Sequence, residues 1–229
     1  MKRSFCCAML LAAGKSTRMG MPKQEIPLLG VPALIYTLRA FEQAESVGRT
    51  VLVCPAGQEE HFRRLAEKWN CAGKLEAVVA GGEPRQQSAA AGAASAGNCH
   101  LLAVHDGARV LITPEEINLA VKDAAENGAS ALAVPVKNTI KVINSDGFVT
   151  ETPERSSLWA VQTPQVFDAQ QYRNLLAAAD GDFTDDCQIF ERAGVPVHLC
   201  RGSYANLKLT TPEDVPTVEA ILQKRSRCK

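Results

Sequence analysis

Cations crowd one short stretch near the start of the chain. Met9 to Lys23 reads Met-Leu-Leu-Ala-Ala-Gly-Lys-Ser-Thr-Arg-Met-Gly-Met-Pro-Lys. An apolar run, Phe5–Leu11, ends in Ala12, Ala13 and Gly14, and Lys15, Ser16, Thr17, Arg18 and Lys23 follow. Small residues let backbone N–H groups approach a phosphate closely, and neighbouring cations neutralise it. The spacing matches neither a Walker A loop nor a G-x-G-x-x-G dinucleotide fingerprint. A polyphosphate site and a plain βα turn with surface cations are the two readings it leaves.

Further candidates are spread along the chain. Asp106 ends an apolar run beside Gly107, where a carboxylate either holds Mg²⁺ against phosphates or simply shapes a turn. Gly81-Gly82-Glu83, with Arg85 and Ser88, opens a helix whose unpaired N–H groups suit a base or phosphate, or only a capping turn. Lys208 sits on a short apolar segment, where a solvated lysine is the ordinary case. Thr184-Asp185-Asp186 reads as a helix cap. The four histidines share no pattern, and neither G-x-S-x-G nor H-E-x-x-H occurs. Many cations and few acid/base groups suit phosphoryl or nucleotidyl transfer, where positioning and charge stabilisation dominate.

These residues need a scaffold, and the apolar pattern supplies one. Runs at Phe5–Leu11, Thr50–Cys54, Glu76–Val79, His100–His105 and Ala131–Val136 read as strands. Helical segments at Pro32–Ala44, Gln58–Trp69, Arg85–Ala96 and Pro114–Asn127 alternate with them, the last capped by Thr113. Such alternation predicts an α/β fold with a mostly parallel sheet, and ligands beyond the strands' carboxyl ends. Thr139–Ile143 and Phe148–Glu151 then flank Asn-Ser-Asp-Gly, a hairpin signal. It reads as an edge hairpin, a lid, or an arm packing on a second subunit. Beyond it, strands are expected at Leu158–Gln162, Gln165–Phe167, Val197–Cys200 and Asn206–Leu209. Helices are expected at Gln170–Ala178, Thr184–Ala193 and Thr211–Lys224. No linker divides the chain, so residues 1–229 form one domain with an arm at about 137–157.

The 229 residues carry zero formal net charge, which offers nothing to non-specific nucleic-acid binding. The first apolar run is too short to span a membrane. With Lys2 and Arg3 ahead of it, it has some character of a signal peptide, but it reads better as a first strand, so a cytoplasmic location is expected. Eight scattered cysteines without a C-x-x-C pair read as reduced core thiols rather than a zinc site.

Taken together, the motifs carry a resemblance. Leu11-Ala-Ala-Gly-x-x-x-Arg-Met-Gly20 with Pro22-Lys23 resembles the sugar-nucleotidyltransferase signature. Val104–Arg109, Pro135–Lys141, Trp159 before Gln162-Thr-Pro-Gln165, Thr184–Asp186 and Asn206–Thr210 narrow it. In that order they look like the 2-C-methyl-D-erythritol 4-phosphate cytidylyltransferases. The resemblance covers nearly the whole chain and implies a Rossmann-like three-layer fold with a β-hairpin dimerisation arm.

It also implies a reaction, in which CTP and methylerythritol 4-phosphate give a cytidine diphosphate alcohol and pyrophosphate. Ala12, Ala13 and Gly14 with Arg18 and Lys23 would wrap the triphosphate, and Arg18, Lys23 and Lys208 would stabilise charge at the α-phosphate. Gly82, Glu83 and Ser88 would hold the base and ribose, and Gly107 the ribose. Asp106 would bind Mg²⁺. Arg109, Thr139, Arg155 and Thr163 would receive the alcohol phosphate, with Thr139 reaching a neighbouring subunit's site in a homodimer. No general base is required, because a phosphate monoester is largely dianionic near neutral pH. The chain departs from the family pattern at Ser16, Gly107, Val110 and Ala205. Ribitol 5-phosphate cytidylyltransferases share most of these motifs and are the nearest alternative. A non-catalytic nucleotide-binding protein is the other.

Overall fold

The computed structural model describes residues 6–14, 19–181 and 183–227. Lys15, Ser16, Thr17 and Arg18 therefore lie outside the described residues.

The central strand β1 (Cys6–Leu11) has no polar side chain and is buried along almost its whole length. Its side chains alternate between two apolar layers. Cys6, Ala8, Leu10 and Ala12 enter one; Cys7 and Met9 enter the other. Short strands β2 (Pro27–Leu28) and β3 (Val31–Pro32) pair with each other ahead of helix α1 (Ala33–Gln43). Strand β4 (Val47–Cys54), helix α2 (Glu59–Lys68), strand β5 (Leu75–Ala80) and helix α3 (Arg85–Ser95) follow. Then come β6 (Leu101–Asp106), α4 (Pro114–Asn127) and β7 (Ala129–Pro135). Helix α4 begins as its sequence demands: Thr113 and Glu116 form a reciprocal capping box behind Pro114.

After the small hairpin strands β8 (Val142–Ile143) and β9 (Val149–Glu151) come β10 (Trp159–Asp168), α5 (Ala169–Ala178), α6 (Cys187–Arg192), β11 (His198–Arg201) and α7 (Asp214–Arg227). Seven strands form one sheet in the order β11-β7-β10-β6-β1-β4-β5. Every pairing in it is parallel except the two made by β10. Residues of α1, α2 and α4 pack in the apolar layer on one face, and residues of α3, α5 and α6 in the layer on the other. The expected three-layer α/β fold is present. Fully buried Phe41 and Phe62 on one face and Phe167 and Phe190 on the other each contribute roughly 1.5–3 kcal/mol by burial. Helix α3 packs close because it is built from Ala and Gly: a Cβ on Gly92 would lie 3.0 Å from Val53 and 3.1 Å from Met9.

Four expectations about elements are corrected. Residues 158–162 and 165–167 are not two strands but parts of one, β10, antiparallel to both neighbours. Pro164 has no N–H to donate, and the pairing register shifts between Val161 and Gln165. Residues 206–209 form a loop rather than a strand, tied down by Leu209 N–H donating to Ala108 C=O at 2.9 Å. Helix α6 starts at Cys187, not Thr184, and the carboxylate oxygen that meets its Gln188 N–H belongs to Asp185. Helix α7 starts at Asp214, whose carboxylate accepts from Thr210 and Thr211 N–H, so Thr211 and Pro212 belong to the preceding turn. The hairpin is present, with strands shorter than its sequence pattern suggests.

Candidate active site

The carboxyl ends of β1, β5 and β6 open into a cleft of about 280 Å³. Ala13, Gly14, Lys23, Gly82, Glu83, Arg85, Ser88, Asp106 and Lys208 line it. A second cleft of about 200 Å³ adjoins it, lined by Arg109, Gln162, Thr163, Gln165, Thr184 and Asp185 among others. Arg85, Asp106 and Lys208 belong to both and form the seam between them.

The first cleft is shaped by backbone. Ala12 N–H donates to Val53 C=O at 2.7 Å and Gly81 N–H to Cys54 C=O at 2.8 Å, which continues the sheet hydrogen bonds one step past the strands. Gly81 has no alternative, because a Cβ there would overlap Ala13 and the Ser88 hydroxyl. The Ser88 hydroxyl accepts from Gly82 N–H at 3.1 Å and donates to Gly82 C=O at 2.9 Å, fixing the turn that opens α3. Gln24 is buried beneath the first loop and donates its side-chain amide to Ala12 C=O and Gly14 C=O. Those carbonyls thereby gain a donor from within the protein. The sequence reading overlooked Gln24; its position next to Lys23 was the available signal.

At the seam, the Asp106 carboxylate is 2.8 Å from Lys208 Nζ, 3.8 Å from Arg109 Nε and 4.0 Å from an Arg85 nitrogen. Burial by itself would raise its pKa, but Lys208, Arg85 and Arg109 outweigh burial and hold it down to about 2. Asp106 is an anion at every physiological pH.

A buried network fixes the backbone under this carboxylate. Asp106 N–H donates to the Thr163 hydroxyl at 3.1 Å, and that hydroxyl lies 3.0 Å from Nδ1 of His105. His105 Nε2 faces Arg109 C=O at 3.4 Å, an acceptor only. Nε2 therefore carries the ring proton and Nδ1 accepts from Thr163. Burial lowers the His105 pKa to about 3, so the ring is a neutral structural element. Asn206, also buried, donates to Thr163 C=O at 3.0 Å, while its own carbonyl accepts from Arg109 at 2.8 Å. This is how the loop that carries Lys208 is brought to the seam.

Of the residues singled out from sequence, Ala13, Gly14, Lys23, Gly82, Glu83, Ser88, Asp106, Arg109, Thr163 and Lys208 line one or both clefts. Ala12 and Gly107 lie in the walls behind them. The Thr163 hydroxyl is engaged by Asp106 N–H and His105 Nδ1, so it also supports the backbone under the carboxylate. Thr139 and Arg155 line neither cleft. Both are exposed on or beside the hairpin, and Arg155 donates to Lys137 C=O at 3.2 Å. The Thr184–Asp186 motif is more than a cap. Asp186 is 1% exposed and pairs with Arg85 at 2.6 Å. The seven described cysteines are unpaired thiols, all buried but Cys99, as expected. No described helix is long and apolar enough to cross a membrane.

Known proteins are similar to this chain over nearly its whole length. The family model for 2-C-methyl-D-erythritol 4-phosphate cytidylyltransferase matches residues 6–224. A protein of that name from Desulforamulus reducens is 43% identical over 229 residues, covering 96% of this chain and 96% of its own length. One from Pelotomaculum thermopropionicum is 42% identical, covering 95% of this chain and 94% of its own length. The crystal structure of 4-diphosphocytidyl-2C-methyl-D-erythritol synthase from Anaerococcus prevotii superposes with a TM-score of 0.85 at 29% identity, covering 96% of each chain. By motif order, fold and full-length similarity, this chain belongs to the 2-C-methyl-D-erythritol 4-phosphate cytidylyltransferase family.

Proposed function

We propose that the chain transfers the cytidylyl group of CTP to 2-C-methyl-D-erythritol 4-phosphate, releasing pyrophosphate, in isoprenoid biosynthesis in the cytoplasm. The observation that carries this reading is the seam: two adjoining clefts share one anion, Asp106, and two cations, Arg85 and Lys208. A nucleotide in the first cleft and a phosphate monoester in the second meet there. An acceptor phosphate oxygen forms a bond to the α-phosphorus as the α–β phosphoanhydride breaks, and pyrophosphate carries away the electron pair. The nucleophile is already anionic, so the residues need only align two anions and suppress their repulsion. Lys23 and Lys208, which line the first cleft, supply charge at the phosphates.

Asp106 suits a divalent cation. The described residues contain no group of three acidic, His or Cys side chains able to hold a metal. Asp106 is the residue that would hold it, and Mg²⁺ is a cation that its hard oxygen donors would suit. Bound there, it would neutralise triphosphate charge.

The hairpin supports a homodimer in this reading. Ile143, Phe148 and Val149 stand well exposed on it, and Thr139 and Arg155 sit at its root, away from the clefts of their own chain. A second copy that covers the apolar tip would bring those polar residues to an acceptor cleft.

Turnover of CTP with methylerythritol 4-phosphate, compared with ribitol 5-phosphate under identical conditions, tests the proposal. Methylerythritol 4-phosphate is expected to be the faster acceptor. Faster release of pyrophosphate with ribitol 5-phosphate reassigns the substrate, and release with neither refutes the transferase reading.

A further inference from the structure

Gln24 is buried, 4% exposed, and lines neither cleft, while its neighbour Lys23 lines the first. The two residues occupy the centre of one tight turn, closed by Glu25 N–H donating to Pro22 C=O at 3.1 Å. They share a planar peptide unit, so whatever holds Gln24 also holds the backbone of Lys23.

Gln24 is held from two sides. Its side-chain amide donates to Ala12 C=O and, at 3.3 Å, to Gly14 C=O, on the loop that leaves β1. An amide nitrogen brings two protons and meets two acceptors here; the amide oxygen in its place would face two carbonyl oxygens. Its backbone belongs to the other side. Gln24 C=O accepts from Leu34 N–H at 3.0 Å, and Ile26 C=O accepts from Ala33 N–H at 2.9 Å, both in the first turn of α1. Leu34, Ile35, Leu38 and Phe41 anchor that helix in the core. Gln24 therefore bridges the start of a core helix and the exit of the central strand. A neutral amide is inexpensive to bury when both of its protons are used.

We infer that Gln24 is a positioning residue for the nucleotide: it locks the turn that presents Lys23 against the loop that leaves β1. The cation and the loop then meet a triphosphate in one fixed geometry. The inference rests on the transferase reading above and adds to it a residue from outside the cleft. Misplacing a charge-stabilising group by about 1 Å costs on the order of a hundredfold in rate, and an unlocked turn exposes Lys23 to such displacement.

A double-mutant cycle on the full-length protein tests this, using Gln24→Met, Lys23→Ala and the pair. Methionine keeps the length of the side chain and removes both donors. Direct titration of CTP affinity, steady-state kinetics for both substrates and thermal melting are measured for each. Gln24→Met is expected to weaken CTP binding about fivefold or more and lower kcat about tenfold, leaving the acceptor KM within about twofold. In the Lys23→Ala background the same change is expected to lower kcat by less than about threefold, because no cation is left to position. Equal fold losses of kcat in the two backgrounds identify a merely structural residue and overturn the inference. So does a lowered melting temperature with unchanged CTP affinity. Should Gln24→Met fail to fold, Gln24→Asn withdraws the amide by one methylene and is expected to show the same coupling to Lys23; wild-type kinetics for that variant overturn the inference. A wild type that binds CTP but turns over no acceptor overturns the transferase reading alone. CTP affinity then decides for Gln24: weakened binding in Gln24→Met upholds its role and unchanged binding overturns it. A wild type that does not bind CTP overturns both readings.

Discussion

The sheet-end clefts and the hairpin arm are built on opposite plans. Around Asp106, each charged side chain is paired and each support beneath it is buried: His105 and Asn206 have no exposed surface and Thr163 has almost none. Around Phe148, the partners are local. Asn144 Oδ1 accepts from Asp146 and Phe148 N–H, and Lys141 Nζ donates to the Thr152 hydroxyl, all within the hairpin. Phe148 itself is 71% exposed. A cleft made by strand ends is held by the whole core, whereas a two-stranded arm is marginal by itself and has to find its apolar partner elsewhere. The difference teaches that a strand-end cleft is held by the core of its own chain, whereas the arm's apolar tip stays uncovered within one chain.

The largest expected effect strikes the first cleft. Lys23→Ala should lower turnover on the order of a hundredfold or more while the melting temperature stays near that of the wild type. A variant with wild-type kcat would remove Lys23 from the charge-stabilising set. Next comes the hairpin. Phe148→Asp places a charge at the arm's apolar tip and should shift the protein toward monomer in analytical ultracentrifugation. With it the acceptor KM should rise several-fold or more, while CTP affinity is preserved. A dimer that persists with unchanged kinetics would break the contrast drawn here.

The smallest effect concerns the support under the cleft. The His105 pKa is about 3 in the folded protein, against 6.5 for an ordinary histidine, because burial disfavours the charged ring. Between these values the unfolded chain binds the extra proton and the native state does not. This contribution to stability is present above pH 6.5 and is lost as pH falls toward 3, by up to about 1.4 kcal/mol per pH unit. Asp106, lowered to about 2, adds its own loss only below about pH 4. Denaturant melts of the wild type and His105→Gln across pH 7 to 4 separate the two: the variant should show the flatter profile.

Several features were legible because they are local. Thr113 as a cap and Gly128 as a stop placed α4 to the residue, and β1 announced itself by six apolar residues running into small ones. The cations and the carboxylate of the clefts were readable as types at strand ends. What escaped is what depends on distant partners. His105 looked like an unpatterned histidine, yet it is held by Thr163, 58 residues away. Asp186 looked like a cap, yet it serves Arg85 across the sheet end. Gln24, one residue past a cation already noted, was passed over because an amide carries no charge to attract attention.

By itself the sequence determined the alternation of strands and helices, the order of the family motifs and the residue types at each strand end, since these follow from periodicity, capping and spacing along the chain. Only the tertiary structure decided which of those residues share a seam, which tautomer His105 adopts and where Arg85 points. Those outcomes depend on burial and on hydrogen-bond partners 40 to 100 residues apart, such as Asn206 to Thr163 and Arg109 to Asn206, and no local pattern encodes them.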